Sequence, residues 1–133
     1  TQQVFSADVM ADLTYALKSV VNGGTGGAAL ALGRPAAGKT GTSQQNASAW
    51  FSAYTPQLAA SVAFFRDSAS ESLNGIGGLT SVTGGSFPAR IWTAFMKGAL
   101  KGQPVMSFPA PTNIGGLEPL VMTSGGIQTM KTN

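Results

Sequence analysis

The stretch from Gly33 to Ser43 constrains the fold more than any other part of the chain, because it fits two motifs that need different backbones. It reads Gly-Arg-Pro-Ala-Ala-Gly-Lys-Thr-Gly-Thr-Ser. From Gly33 it matches G-x-x-x-x-G-K-T, a phosphate-binding P-loop that works only if a helix begins at the lysine. From Lys39 it matches K-T-G, whose chemistry needs an extended strand beside a cleft. The structure that follows Lys39 therefore decides the fold class.

The residues after Lys39 favour the strand. Gly41 and the β-branched Thr42 would make a poor first helical turn, and the aromatic residues at 50 and 51 follow soon afterwards. The segment before the motif, residues 28–32, lacks the β-branched residues of a buried parallel strand. One feature favours a nucleotide hydrolase: the apolar run over 60–65 ends near Asp67, as a magnesium-binding acid would require. A hairpin strand that ends at a charged turn gives the same pattern, so the P-loop stays the less favoured alternative.

Apolar residues at helical spacing predict two helices. Ser6 suits the N-cap of the first helix, which we expect over residues 7–21, before the Gly-rich sequence that starts at Asn22. The second helix is expected to begin at Pro88, a favoured first-turn residue, and to end at Gly102. The predicted buried residues are Val9, Leu13, Leu17, Val20 and Val21 in the first helix, and Ile91, Trp92, Phe95, Met96 and Leu100 in the second.

The sequence between the helices predicts a β-hairpin. Residues 47–54 and 58–65 are rich in aromatic and small apolar residues, and Thr55-Pro56-Gln57 between them is a turn signal. Residues 22–35 are predicted to form a Gly-rich connection of low complexity, and residues 66–85 a loose loop.

The composition limits the possible chemistry. The chain has no Cys, no His and only five carboxylates, which excludes thiol catalysis, the usual zinc sites and an internal Ser-His-Asp triad. Its eight basic residues are scattered and the net charge is only +3, which argues against nucleic acid as a partner. Charged residues make up 10%, against roughly 25% in an ordinary soluble domain, and this suggests that protein outside the chain covers part of its surface. We expect no cofactor and no metal, and any catalysis must use hydroxyls, amides and Lys39.

On an edge strand beside a cleft, the K-T-G residues would supply a coherent set of groups. Lys39 would place a positive charge near a serine nucleophile, where it assists proton transfer and attracts a substrate carboxylate. Thr40 and Thr42 are two residues apart and share one face of the strand, so both hydroxyls could meet that carboxylate. Gly41 points to the opposite face and leaves room for close packing. An amide of the strand could also form part of an oxyanion hole.

A longer pattern resembles the end of the transpeptidase domain of class A penicillin-binding proteins. The pieces AAGKTGTS, AWFSAYTP and GGSFPARIWTAFMKGAL occur in the order and approximate spacing seen in that family. We therefore interpret residues 1–109 as the C-terminal part of such a domain and residues 110–133 as a Pro/Gly-rich C-terminal tail. The resemblance implies an α+β fold, with a five-stranded antiparallel sheet, flanking helices and the K-T-G strand at the cleft. It also implies a D,D-transpeptidase that cross-links peptidoglycan stem peptides through a serine acyl-enzyme and is acylated by β-lactams.

The resemblance also implies residue roles. Lys39, Thr40 and Gly41 match the active-site motif of the family. Thr42 matches the residue whose amide completes the oxyanion hole and whose hydroxyl binds the substrate carboxylate, and Ser43 joins Thr40 and Thr42 as a substrate-binding residue. The family often has Asp at the position of Ser48 and Gly at the position of Ala53. Both departures fall outside the cleft motif.

The serine nucleophile of the family has no counterpart here. No Ser in the 133 residues is followed by Lys three positions later, and a formal S-x-N match at Ser72-Leu73-Asn74 comes after K-T-G instead of before it. We expect the serine upstream of this chain or on a companion chain, with the D-Ala-D-Ala stem peptide and β-lactams as ligands. The expected location is the outer face of the cytoplasmic membrane, anchored by a segment absent from this chain. The alternatives are a serine β-lactamase-like hydrolase, the P-loop hydrolase and a binding module that only retains the fold.

Overall fold

A computed structural model of the chain describes residues 4–68, 70–113, 120–123 and 126–129. The structure contains a three-stranded antiparallel sheet and two helices, followed by a separate antiparallel strand pair. In chain order the elements are α1 (Ala7–Asn22), β1 (Ala37–Thr42), β2 (Ser48–Tyr54), β3 (Ala59–Phe65), α2 (Phe87–Ala99), β4 (Leu120–Thr123) and β5 (Gly126–Thr129). The predicted α+β class and the predicted hairpin are confirmed, and the main sheet has three of the five implied strands within the described residues.

The two faces of this sheet differ because side chains alternate along each strand. In β2, Ala49, Phe51 and Ala53 are buried on one face, which we call the inner face, whereas Trp50 and Ser52 lie on the outer face. The strands are arranged in the order β1-β2-β3. Among the described residues β1 is therefore an edge strand, as the K-T-G hypothesis requires.

The P-loop hypothesis is wrong. Lys39 and Thr40 lie inside β1, and the strand continues to Thr42. Only a short 3₁₀ turn, Gln44–Asn46, follows it, and Gln45 and Asn46 have left-handed φ angles of 58° and 54°. Phosphate binding would need a helix N-terminus at the lysine, and the backbone there is extended.

The α2 helix covers the inner face through one fully buried tryptophan. The ring of Trp92 packs edge-on against that of Phe51, with 5.4 Å between centroids and an interplanar angle of 86°. Its indole N–H donates to the carbonyl of Ala53 at 3.2 Å and to that of Ala60 at 3.1 Å. A buried Trp needs such a partner for its N–H, and here the carbonyls come from two adjacent strands. Trp92 therefore links α2 through hydrogen bonds to both strands of the hairpin.

Both predicted helices form, but the prediction of their buried faces is partly wrong. In α1, Val9 and Leu13 are exposed, and the buried residues are Ala11, Thr14 and Val21. In α2, Trp92, Met96 and Leu100 are buried as predicted, whereas Ile91 and Phe95 are exposed and the small residues Ala89 and Thr93 are buried. Small side chains let a helix approach its neighbours closely, so they join the buried face of each helix, and some of the larger apolar side chains are left exposed.

Two segments that were predicted to be irregular are ordered. The Gly-rich connection contains a 3₁₀ helix, Gly27–Leu32, whose Ala29 and Leu32 are buried. The loop after β3 contains Leu73 and Val82, both fully buried in a second small cluster with Ala49. The predicted tail of residues 110–133 falls partly outside the described residues, which include 110–113, β4 and β5 of that segment.

Candidate active site

The two threonines of the K-T-G-T sequence lie on the inner face. Thr40 pairs with Phe51 and Thr42 with Ala49, so both side chains share the face that α2 covers. Lys39 pairs with Ser52 and lies on the outer face with Gly41. The prediction that the two threonines and Gly41 lie on opposite faces of the strand therefore agrees with the register of the sheet.

Each threonine hydroxyl has a partner that the sequence analysis did not identify. The Oγ1 of Thr40 lies 2.6 Å from the Oγ1 of Thr25. The backbone N–H of Gly84 donates to the Oγ1 of Thr42 at 3.3 Å. Thr25 belongs to the connection after α1, and Gly84 to the turn that leads into α2. The available signal was the pair of adjacent glycines in each segment, which often marks a close approach of two backbones.

The turn before α2 lies directly on the β1–β2 ladder. A Cβ atom at Gly84 would collide with the carbonyl of Trp50 and lie 2.9 Å from the backbone N and O of Gly41. A Cβ at Gly85 would collide with the carbonyl of Thr25. The close packing at Gly41 was expected on the outer face, where a Cβ would meet only the Cβ of Trp50 at 3.4 Å. The close approach on the inner face was not predicted, and the room for packing on the outer face stays a prediction.

The register of the ladder also orients the backbone groups of β1. The N–H of Ser43 donates to the carbonyl of Ser48 at 2.9 Å, which makes Ser43/Ser48 a hydrogen-bonded pair. Bonded and non-bonded pairs alternate in an antiparallel ladder, so the amides and carbonyls of Thr42 and Thr40 point away from β2, toward the open edge. The Nζ of Lys39 donates to the carbonyl of Thr40 at 2.9 Å, in agreement with this direction. The amide of Thr42 thus points toward that edge and not into the ladder with β2.

Ser43 closes the loop that follows β1. Its Oγ accepts the N–H of Ser48 at 2.8 Å, and the Oγ of Ser48 accepts the indole N–H of Trp50 at 3.2 Å. The predicted substrate-binding residue Ser43 therefore has a hydrogen-bonding role within the loop. Ser48 takes part in the same contacts.

The formal S-x-N match supports the same loop. The Oδ1 of Asn74 accepts the side-chain N–H of Asn46 at 2.7 Å, and the N–H of Leu73 donates to the carbonyl of Asn46 at 2.8 Å. Asn46 has a left-handed backbone, so these contacts hold an unusual turn. The hydrogen bonds of Ser72-Leu73-Asn74 thus go to structural partners.

The outer face beside Lys39 is open. A cavity of about 500 Å³ lies there, lined mainly by apolar atoms, and Leu17, Lys39, Ser52 and Tyr54 are among its lining residues. Further along this face Trp50 is 45% exposed, and Phe65 at the end of β3 is 66% exposed. Within the described residues, no group of three or more His, Cys, Asp or Glu side chains is placed to hold a metal ion. The described helices are too short or too polar for any of them to cross a membrane.

Comparison with known proteins identifies the family. Residues 1–76 match the penicillin binding protein transpeptidase domain. Penicillin-binding protein 1A of Mycolicibacterium smegmatis is 39% identical over 112 residues, which cover 80% of this chain and 14% of the relative. The protein of the same name from Mycobacterium tuberculosis is 38% identical with the same coverage. This chain therefore spans about 14% of the length of these curated relatives.

Solved structures give the same assignment. The PonA1 protein of Mycobacterium tuberculosis in complex with penicillin V superposes with a TM-score of 0.74 at 38% identity, over 82% of this chain and 30% of that chain. Penicillin-binding protein 1A from Haemophilus influenzae, at 24% identity and a TM-score of 0.65, supports the fold, over 85% of this chain and 18% of that chain. The chain belongs to the penicillin-binding protein transpeptidase domain family.

Proposed function

We propose that this chain forms one wall of the active site of a D,D-transpeptidase, which cross-links peptidoglycan stem peptides through a serine acyl-enzyme and is acylated by β-lactams. The observation that carries the proposal is the open edge of β1. Within four consecutive residues it offers the ammonium of Lys39, the hydroxyls of Thr40 and Thr42, and the outward amide of Thr42. These groups suit a ligand with a carboxylate at one end and a reacting carbonyl near it.

Each residue has a role in this proposal. The charge of Lys39 assists proton transfer at the serine and stabilises negative charge that develops during acylation. The hydroxyls of Thr40 and Thr42 bind the substrate carboxylate, and the amide of Thr42 is one donor of the oxyanion hole. Gly41 keeps the outer side of the strand free of a side chain between the lysine and the loop. Ser43 takes part in substrate binding at the end of the strand, where its own contacts fix the loop.

The attacking serine comes from outside this chain, either from the upstream part of the same domain or from a companion chain. The absence of any S-x-x-K sequence supports this arrangement. The open outer face beside Lys39, with the exposed Trp50 and Phe65, supports it independently, because an apolar surface of this kind is typical of a protein contact. The assembled enzyme works at the outer face of the cytoplasmic membrane, anchored by a segment outside this chain. That PonA1 was solved with penicillin V supports β-lactams as ligands.

Labelling with a fluorescent penicillin tests the proposal. The chain joined to the upstream half of its domain should be labelled, and the 133 residues alone should not be. In the joined protein, Lys39→Ala should slow acylation by about 10²-fold or more, because a charge that acts in the transition state is lost. Lys97→Ala, on the exposed side of α2, is the matched control and should leave the rate unchanged. Labelling of the isolated chain would contradict the proposed division of the site.

Two alternatives give different results in the same assay. A serine β-lactamase-like hydrolase would release the acyl group quickly, so the persistence of the label over time distinguishes it from a transpeptidase. A binding module that only retains the fold would stay unlabelled when the serine-bearing segment is present. Measuring both label formation and label loss therefore separates all three.

A further inference from the structure

We infer that Thr25 and Gly84 are positioning residues that make the hydroxyls of Thr40 and Thr42 a pair of hydrogen-bond donors toward an anion. The inference rests on the proposed function for the identity of that anion, the C-terminal carboxylate of a stem peptide. Neither residue belongs to the K-T-G motif, and they act through hydroxyls they contact. The donors and acceptors around each oxygen decide which way its hydrogen points.

Thr42 gives the simpler case. A hydroxyl has one hydrogen to donate and two lone pairs that accept. The backbone N–H of Gly84 can only donate, so it occupies a lone pair of the Thr42 oxygen, 3.3 Å away. The hydrogen of Thr42 is left for another partner. Because Thr42 is exposed at the edge of the sheet, a carboxylate can reach it.

The hydroxyl of Thr40 is also left to donate its hydrogen to a ligand, through its contact with Thr25. The two oxygens are 2.6 Å apart, so one hydroxyl donates to the other. A carboxylate accepts hydrogen bonds and donates none, so Thr40 can bind it only by donating its own hydrogen. In the bound state Thr25 must then donate to Thr40. The two hydrogen bonds, from Thr25 to Thr40 and from Thr40 to the carboxylate, then point in the same direction. Hydrogen bonds aligned in this way polarise and strengthen one another.

The surrounding backbone fixes both partners in place. The carbonyl of Thr25 lies against Gly85, where any side chain would collide with it, and Gly84 lies equally close to the carbonyl of Trp50. On the other side, a Cβ at Gly26 would be 3.0 Å from the ring of Phe51. The segment that carries Thr25 is thus held between the hydrophobic core and the turn before α2. Both hydroxyls are oriented by contacts with glycine-rich segments that leave little freedom of movement.

The test compares a ligand that carries a carboxylate with one that lacks it. The protein is the chain joined to the upstream half of its domain, and the ligands are N-acetyl-D-Ala-D-Ala and its C-terminal amide. Thr25→Val removes the hydroxyl at nearly constant volume, Thr25→Ala removes it without a branched side chain, and Thr25→Ser restores it. Thr55→Val is the matched control, because the contacts of the Thr55 hydroxyl stay within the turn between β2 and β3, where it lies 3.5 Å from the carbonyl of Leu58.

The wild type should bind the acid more tightly than the amide. Thr25→Val and Thr25→Ala should weaken binding of the acid by roughly tenfold and leave binding of the amide unchanged, since a hydrogen bond to a charged group is affected. Thr25→Ser and Thr55→Val should keep the wild-type ratio. The inference is overturned if the wild type has no preference for the acid, or if both Thr25 variants keep that preference or weaken both ligands equally. Penicillin labelling of the same samples reports separately on the proposed function: a Thr25-dependent acid preference without labelling would support the inference and refute the enzyme.

Discussion

The inner and outer faces of the three-stranded sheet are covered to very different extents by the chain itself. On the inner face, Phe51 and its neighbours are fully buried beneath Trp92 of α2. On the outer face, Trp50 and Phe65 are exposed, and a cavity adjoins Lys39. The chain therefore builds the support of the K-T-G strand from its own residues and leaves the side with the lysine open. This division agrees with an active site that is completed by protein outside the chain.

The largest expected effect on stability comes from a substitution on the inner face. Trp92→Ala should lower the free energy of unfolding of the chain by about 3–5 kcal/mol, because it leaves a cavity and two carbonyls without their indole partner. Trp50→Ala is the matched control on the outer face and should cost about 1 kcal/mol or less, because the side chain is 45% exposed. Urea unfolding followed by circular dichroism gives both values. Equal losses would contradict the difference between the faces.

A smaller effect is expected where the turn before α2 touches the inner side of the ladder. Gly84→Ala should cost about 1–3 kcal/mol or more, because the added methyl would collide with backbone that cannot move independently. Gly98→Ala in α2 has nothing within 4 Å of the new methyl and should instead raise stability by about 0.5–1 kcal/mol. Thermal unfolding of the two variants should therefore shift in opposite directions. A stable Gly84→Ala variant would mean that the turn does not lie on the ladder.

The smallest effect concerns the end of the helix that covers the inner face. The guanidinium of Arg34 donates to the carbonyls of Leu100 and Gln103 at 2.9 Å and of Pro104 at 3.1 Å. Arg34→Ala should cost about 1–2 kcal/mol in urea unfolding, since three carbonyls lose a charged donor that is partly exposed. Arg34→Lys should recover only part of this, because an ammonium lacks the planar fork. Arg90→Ala, exposed on α2, should change stability by about 0.5 kcal/mol or less.

Much of this architecture was predictable from local sequence. The extended backbone after Lys39 followed from the poor helical character of Gly41 and Thr42, and the common face of Thr40 and Thr42 followed from the two-residue repeat of a strand. The hairpin followed from its turn residues and its aromatic strands. The K-T-G interpretation therefore predicted the strand that lies at the edge of the sheet among the described residues, and the resemblance implied the α+β fold around it.

The features of the fold and site that local sequence did not predict depend on contacts between residues far apart in the chain. Hydrophobic periodicity could not show that α1 buries Ala11 and that α2 buries Ala89 and Thr93, because small side chains that permit a close approach join the buried face beside large ones such as Trp92. The partners of the two threonines were hidden for a similar reason. Thr25 lies 15 residues from Thr40, and Gly84 lies 42 residues from Thr42. The glycines near them indicated flexible loops locally, whereas in the fold they permit backbone contact.

The hydrogen bond from Gly84 to Thr42 has a consequence for the order in which the contacts of β1 can form during synthesis. Synthesis proceeds from the N-terminus, so β1 leaves the ribosome 42 residues before the group that orients its last hydroxyl. A nascent chain that ends before Gly84 would contain the whole K-T-G-T sequence. Of its two threonine hydroxyls, only that of Thr40 would have its partner, Thr25. The proposed anion recognition by this strand would thus become complete only when the turn before α2 has been translated and has reached the sheet.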